Sequence, residues 1–361
     1  MFFELLQVAL GTRDKLSRVP SAAQWLTLLD EAQSQGVDAV MLGGIERLPK
    51  EQRPLINELL EWIGVAQMIE AMSSMQVRRA RELSAMVRGV GFESCVLKGV
   101  AVARYYPQPL RRVCGDIDLW VGGRRKDVMA WLHSKYLINK VVWHNVNVAF
   151  FEDVAVEVHF HPAWLNNPFR NYRLQRWFRQ MAGTRHDTEE GFNVMPVEFD
   201  VVYSLVHSFR HFLAEGLEMR HVCDYFYILK KIHTESTEST ETKEQREQSP
   251  ISFDLCRVAT EVDKSQIVTT LRRLGMMKFA GAMMYVLREA CGMPSEWLLC
   301  KPNEKEGKFL LCEIMRGRQQ EDTGSRSFKR YWTMGKHYPG EVLWVYPWRA
   351  WHLCWRFCHK Y

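Results

Sequence analysis

A chain of 361 residues with 47% hydrophobic and 25% charged residues has ordinary globular composition, which excludes a disordered, collagen-like or small disulfide-stapled protein. Its 48 basic and 42 acidic residues leave a net charge of +6, too mild and scattered to favour long nucleic acid, although polyphosphate substrates suit it. Nine cysteines without a CxxC pair point to reduced thiols and a cytoplasmic location.

Glu4 interrupts the short apolar start, so a secretory signal is not expected, and no uncharged apolar stretch reaches the roughly 18 residues of a spanning helix. Residues 1–90 read as a helical N-terminal lobe, because Trp25, Leu28, Leu29 and Ala32, and again Ile56, Leu59, Leu60 and Ile63, recur at helical spacing. From 91 to 162 the pattern changes. GFESCVLKG is a short apolar run ending in Lys98-Gly99, VAVARYYPQP one brief helix, DIDLWV an alternating strand, and KDVMAWLHSKY a helix. VNVAFF and VAVEVHF are two further strands joined by a hairpin turn at Glu152 and Asp153. Alternation of strand and helix predicts a small α/β unit here.

Residues 163–233 return to helical periodicity, in VEFDVVYSLVHSFRHFLAEGL and LEMRHVCDYFYILKKI. The run TESTESTETKEQREQS has no aliphatic or aromatic side chain, so 234–250 is expected to be a mobile linker. A helical C-terminal region follows over 251–361, ending in Trp332, Trp344, Trp348, Trp351 and Trp355. These tryptophans suit core-facing helices that cap the fold, a reading favoured over peripheral membrane contact because few lysines and arginines accompany them.

The chemistry concentrates in two strands. In GDIDLWV, Ile117, Leu119 and Val121 share one face while Asp116 and Asp118 share the other, with Cβ atoms about 7 Å apart. In VAVEVHF, Glu157 and His159 lie on the face opposite Val156, Val158 and Phe160. Three carboxylates together repel one another, and a divalent cation with a preference for oxygen ligands resolves that repulsion. Such an arrangement serves phosphoryl or nucleotidyl transfer. Lys98 and Gly99 close a strand and open a helix, where backbone N–H groups favour a phosphate. Gly99 permits close approach, and Lys98, Arg111 or Arg112 can neutralise developing charge.

VLKGVAVARYYPQPLRRVCGDIDLWV followed by VEVHFHP resembles the uncharacterised branch of the DNA polymerase β-like nucleotidyltransferase superfamily. The resemblance is specific over 94–162 and weaker over 200–230, and Lys98-Gly99 stands where the superfamily usually has Gly-Ser. It implies an α+β fold, with a small mixed-sheet core flanked by helical lobes. It also implies Asp116, Asp118 and Glu157 as catalytic and metal-binding residues, with Mg²⁺ or Mn²⁺ as cofactor. Lys98, Gly99, Arg112 and His159 become the nucleotide-binding candidates. The expected activity is transfer of a nucleoside monophosphate from a nucleoside triphosphate to a hydroxyl acceptor, a small molecule or a protein. The alternative is a catalytically inactive nucleotide-binding or interaction module of the same fold.

Other polar constellations carry weaker expectations. His207 and His211 are four apart but lack a third ligand at a familiar spacing, so packing or substrate contact is the preferred reading. Arg220 and Asp224 suit an i,i+4 pair, or Arg220 faces the cleft. His352, Cys354, Cys358 and His359 match no familiar zinc spacing.

Overall fold

Three short helices, α1 (Phe2–Leu10), α2 (Ala22–Ser34) and α3 (Asp38–Arg47), open the chain. Ser21 starts α2 through a capping box with Gln24, which satisfies backbone N–H groups that a helix start otherwise leaves unpaired. α4 (Ile56–Gly89) is 34 residues long, about 50 Å at helical rise, and links two cores. Trp62 and Ala66 enter the larger helical core, whereas Ala80, Leu83 and Val87 enter the core beneath the sheet. The computed structural model describes residues 1–247, 263–317 and 325–359.

Strands β1 (Ser94–Val96) and β2 (Ile117–Val121) are separated by the single-turn helix α5 (Val100–Ala103). Helix α6 (Arg125–Lys135) leads to β3 (Ile138–Val141), β4 (Asn145–Val148) and β5 (Val156–His159). The sheet order is β3-β4-β5-β2-β1-β7-β6, with β6 (His186–Asp187) and β7 (Asn193–Val194) supplied later in the chain. β2 runs parallel to β5 and β1 parallel to β7, while the remaining neighbours are antiparallel, so the sheet is mixed. Alternation divides the strands by face. Ile117, Leu119, Val121, Val146, Val156 and Val158 pack on α4 and α6, which leaves Asp118, Glu157, His159 and Asn145 on the opposite face.

That opposite face meets a helical body. α7 (Pro168–Met181) and α8 (Val197–Ala214) cover it, with Trp120 of β2 packed against Phe178 and stacked on Phe199. α9 (Met219–Glu247), α10 (Lys264–Arg273), α11 (Met277–Cys291) and α12 (Glu304–Met315) complete the same core as α1 to α3. Long-range hydrogen bonds tie the two ends of the chain, including Thr12 Oγ1 to the Cys291 carbonyl at 2.6 Å and buried Gln35 Nε2 to the Ile314 carbonyl at 3.1 Å. The helices before and after the α/β unit thus share one interior.

The structure departs from expectation in two places. The expected linker over 234–250 is instead helical to Glu247, while 248–250 lie outside the described residues. Glutamate and lysine are good helix formers, and Lys231 and Glu235 form an i,i+4 ion pair where the run begins, so a sequence without aliphatic or aromatic residues still continues the helix. The second departure is β3, β6 and β7, absent from the sequence reading. β6 and β7 span two residues each, too short for a period of two to register, and β3 is an edge strand with exposed Asn139 and Lys140.

The last helices are α13 (Ser325–His337), α14 (Pro339–Val342) and α15 (Val345–Cys358). Trp143 of the β3–β4 turn packs edge-on against Trp348 and Trp351, so part of the Trp-rich end rests on the α/β unit, although none of the five tryptophans is buried as the core-facing reading expected. Trp332 stays 66% exposed. Among the described residues no helix is long and apolar enough to cross a membrane.

Candidate active site

Parallel pairing of β2 with β5 brings Asp118 directly opposite Glu157, so two carboxylates from distant parts of the chain share one face. His159, two residues beyond Glu157 on the same strand, turns Nε2 to Asp118 Oδ1 at 2.7 Å and lies 3.4 Å from Glu157 Oε2. Ligand atoms of Asp118, Glu157 and His159 all fall within 4.8 Å of one another. Asp118 is almost fully buried at 1% exposure. Its Oδ2 has no hydrogen-bond partner among the described residues, but Lys98 Nζ stands 2.9 Å away as an ion-pair partner.

Lys98 reaches that position because Leu97 N–H donates to the Asp118 carbonyl at 3.0 Å, carrying the β1 ladder one step past the strand. The same ammonium lies 3.5 Å from Asp116 Oδ1. Asp116 precedes β2, half exposed, and joins the acids through Lys98 rather than sharing the tight cluster. The loop before it is pinned by α4, with Ser73 Oγ donating to the Arg112 carbonyl and Gln76 Nε2 to the Gly115 carbonyl at 2.9 Å. Gly99 has φ +61° and a Cβ there would meet the Asp116 carbonyl at 3.4 Å, so the Lys98-Gly99 turn needs glycine. The helix it opens is a single turn, which leaves little macrodipole to hold a phosphate.

Glu157 shows how the polar face is balanced. Burial alone would raise its pKa, yet the hydrogen bond and charge of His159, the nearby Lys98 ammonium and Asn145 overcome this and hold it down to about 2. Asn145 and Asn147 of β4 both donate to the Glu157 carboxylate, the latter at 3.4 Å. The sequence reading missed these asparagines, although Asn-Val-Asn-Val alternation puts both on the polar face.

The seven predicted residues, Lys98, Gly99, Arg112, Asp116, Asp118, Glu157 and His159, all line one cleft of about 680 Å³. They do not all keep free charge. Arg112 is buried and paired with Asp224, at 3.1 Å from Nε and 2.6 Å from Nη2, and Asp224 also accepts from the Tyr106 hydroxyl. Arg220 pairs with Glu218 at 2.7 Å, not with Asp224, and lines the cleft. Arg111 is held outside by Glu46 and Glu70.

The opposite wall comes from α8, whose Tyr203, Ser204, His207, Arg210 and His211 fall along one helical stripe. His207 Nε2 and His211 Nε2 are 2.9 Å apart, and His211 Nδ1 bonds Glu215, so these histidines are cleft residues with hydrogen-bond partners. The Tyr203 hydroxyl is buried in this wall with no hydrogen-bond partner among the described residues, and burial, with the Asp116, Asp200 and Glu157 charges, drives its pKa well up. Helical spacing places His207 and His211 on one face, but only the packing of α8 across the sheet brings that face to the acids. At the far end of the chain, His352 Nε2 accepts from the Trp143 amide, a structural contact for one member of the unfavoured zinc set.

No curated protein matches the sequence. An antigenic nucleotidyltransferase-like protein from Paracoccidioides brasiliensis is similar to 43% of this chain and 75% of its own, at 10% identity and a TM-score of 0.30, too slight a likeness to carry structural argument. A family model described as uncharacterised nucleotidyltransferase matches residues 21–246, more than half of the chain. That span includes the Lys98-Gly99 turn, both acidic strands and the α8 wall; the chain belongs to the uncharacterised nucleotidyltransferase family.

Proposed function

We propose that the protein is a metal-dependent nucleotidyltransferase that moves a nucleoside monophosphate from a nucleoside triphosphate to a hydroxyl-bearing acceptor. The observation that carries this reading is the registered pair Asp118 and Glu157, with His159 between them, at the floor of a cleft large enough for a nucleotide. A buried carboxylate oxygen on Asp118 whose partner is a cation, together with hard oxygen donors from Glu157 and nearby Asp116, fits Mg²⁺ or Mn²⁺. A bound divalent ion supplies charge neutralisation at the phosphoryl oxygens.

The chain's own residues do the rest. Asp118 and Glu157 present the ligand oxygens, and a Glu157 carboxyl held at about 2 suits ligation better than removal of a proton. Lys98 exchanges the carboxylates for phosphate oxygens when a triphosphate occupies the cleft, on the side where Gly99 admits close approach. The acceptor oxygen bonds to the α-phosphorus as the bond to pyrophosphate breaks, and the hydroxyl proton leaves through the open cleft.

Incubation of the full chain with each of four labelled nucleoside triphosphates, Mg²⁺ or Mn²⁺ and a cell extract is expected to label an acceptor and release pyrophosphate. Asp118→Asn and Glu157→Gln should each lower that release by roughly a hundredfold or more. Unchanged release in both variants overturns the assignment. A second reading, an inactive nucleotide-binding module, is supported by the Lys98 ammonium already neutralising Asp118 and Asp116. It predicts nucleotide binding with no label transferred.

A further inference from the structure

Arg210 differs from the other cleft arginines. Arg112 and Arg220 are matched by Asp224 and Glu218, whereas Arg210 makes no ion pair or hydrogen bond among the described residues. Its guanidinium instead lies over the Trp164 ring, with Cζ 3.0 Å from the centroid. Burial pulls its pKa down to about 9, with Tyr331, Glu341 and Glu215 offsetting only part of this. A guanidinium stays charged and carries five donors in a planar fork, so holding it in a half-buried wall without a paired anion is costly. An oxyanion entering the cleft removes that cost.

The position of Arg210 says which substrate supplies the oxyanion. Across the sheet, Lys98-Gly99 follow β1, Asp118 lies on β2, Glu157 and His159 on β5, and His144 just precedes β4. The His144 ring stands 6.0 Å from His159 and 3.7 Å from Trp164, on which Arg210 rests. The acids therefore separate the Lys98-Gly99 turn from Arg210. In-line displacement holds attacking and departing oxygens on opposite sides of the phosphorus. With pyrophosphate on the Lys98 side, the acceptor occupies the Arg210 side.

We propose that Arg210 is an acceptor-binding residue and that the acceptor carries an oxyanion, a phosphate or a carboxylate, which this guanidinium grips bidentately. The proposal rests on the nucleotidyl-transfer reading above and names the substrate class it uses. His144, packed on the same Trp164 ring, stands beside this guanidinium as a further hydrogen-bonding group.

The test is titration of the full chain with inorganic phosphate and, separately, acetate, followed by tryptophan fluorescence and calorimetry. The titration is repeated with saturating Mg²⁺ and non-hydrolysable analogues of the four nucleoside triphosphates. Wild-type protein should bind at least one anion. Arg210→Met should weaken binding roughly tenfold or more, and Arg210→Lys by only a few-fold. The anion should remain bound with nucleotide present, and preference for phosphate or acetate identifies the acceptor group. Arg210→Gln serves as the second variant if circular dichroism shows Arg210→Met to be unfolded. Binding by both neutral variants equal to wild type overturns the subsite. Displacement of the anion by nucleotide overturns its assignment to the acceptor. Failure of the nucleotidyl-transfer reading shows separately, as pyrophosphate release unaffected by Glu157→Gln.

Discussion

Glu157 is half buried beside a histidine and a lysine, and its carboxyl is held down to about 2, so its charged form is bound more tightly by the fold than by water. Because the folded value lies below the ordinary 4.5, its contribution to stability is fully present above pH 4.5 and is lost as pH falls toward 2. It is worth about 3 kcal/mol at neutral pH. Glu157→Gln should flatten this acid limb of a urea-unfolding series taken from pH 5 to pH 2, and an unaltered limb refutes the electrostatic account of the site. The sequence placed Glu157 on the correct strand face by alternation alone. It did not show that His159 would turn to Asp118 or that Arg112 would be claimed by Asp224, because those pairings join residues remote in the chain.

At the scale of elements, strength of pattern decided what was readable. β2 and β5 alternate over whole strands and emerged with the expected faces, whereas two-residue strands and an edge strand did not. Helix contacts are set by side-chain bulk that periodicity does not report. Gly307 of α12 lies against Tyr285 of α11, and a Cβ there would come within 2.3 Å of the Tyr285 Cβ, so the helices touch nearly backbone to side chain. Gly307→Ala should therefore cost about 1 to 3 kcal/mol by overpacking. Gly64, inside α4 with nothing near its missing Cβ, gives the contrast: Gly64→Ala should gain roughly 0.5 to 1 kcal/mol from helix propensity alone. Urea midpoints for the two variants must move in opposite directions, and a common direction removes the packing argument for α11 and α12.

The whole molecule gathers histidines into its cleft. Five of the 12, His144, His159, His207, His211 and His221, line it. Burial pushes the pKa of His144, His207 and His221 well below 6.5, reinforced by neighbouring histidines and by Arg210, Lys98 and Arg220 respectively. A histidine whose folded value is depressed gives full stability above its unfolded value of 6.5 and loses it as pH falls below, since only the unfolded chain takes up the proton. Stability should thus drop by up to about 1.4 kcal/mol per pH unit per histidine below pH 6.5, a window distinct from that of Glu157. Unfolding midpoints at pH 8, 6.5 and 5.5 test this, with His221→Asn expected to reduce the slope; constant midpoints across that range contradict it.

The sequence by itself determined that β2 and β5 are strands and α8 a helix, which face of β2 and β5 is polar, and that paired acids lie near a Lys-Gly turn. Those properties depend on residues a few positions apart, where backbone geometry fixes side-chain direction. Only the tertiary structure decided that β2 lies parallel to β5, that α8 closes the cleft, and that Arg112 has a paired carboxylate while Arg210 has none among the described residues. Periodicity sets the direction of a side chain, whereas strand order and long-range packing set which charges become neighbours, and on those neighbours the chemistry depends.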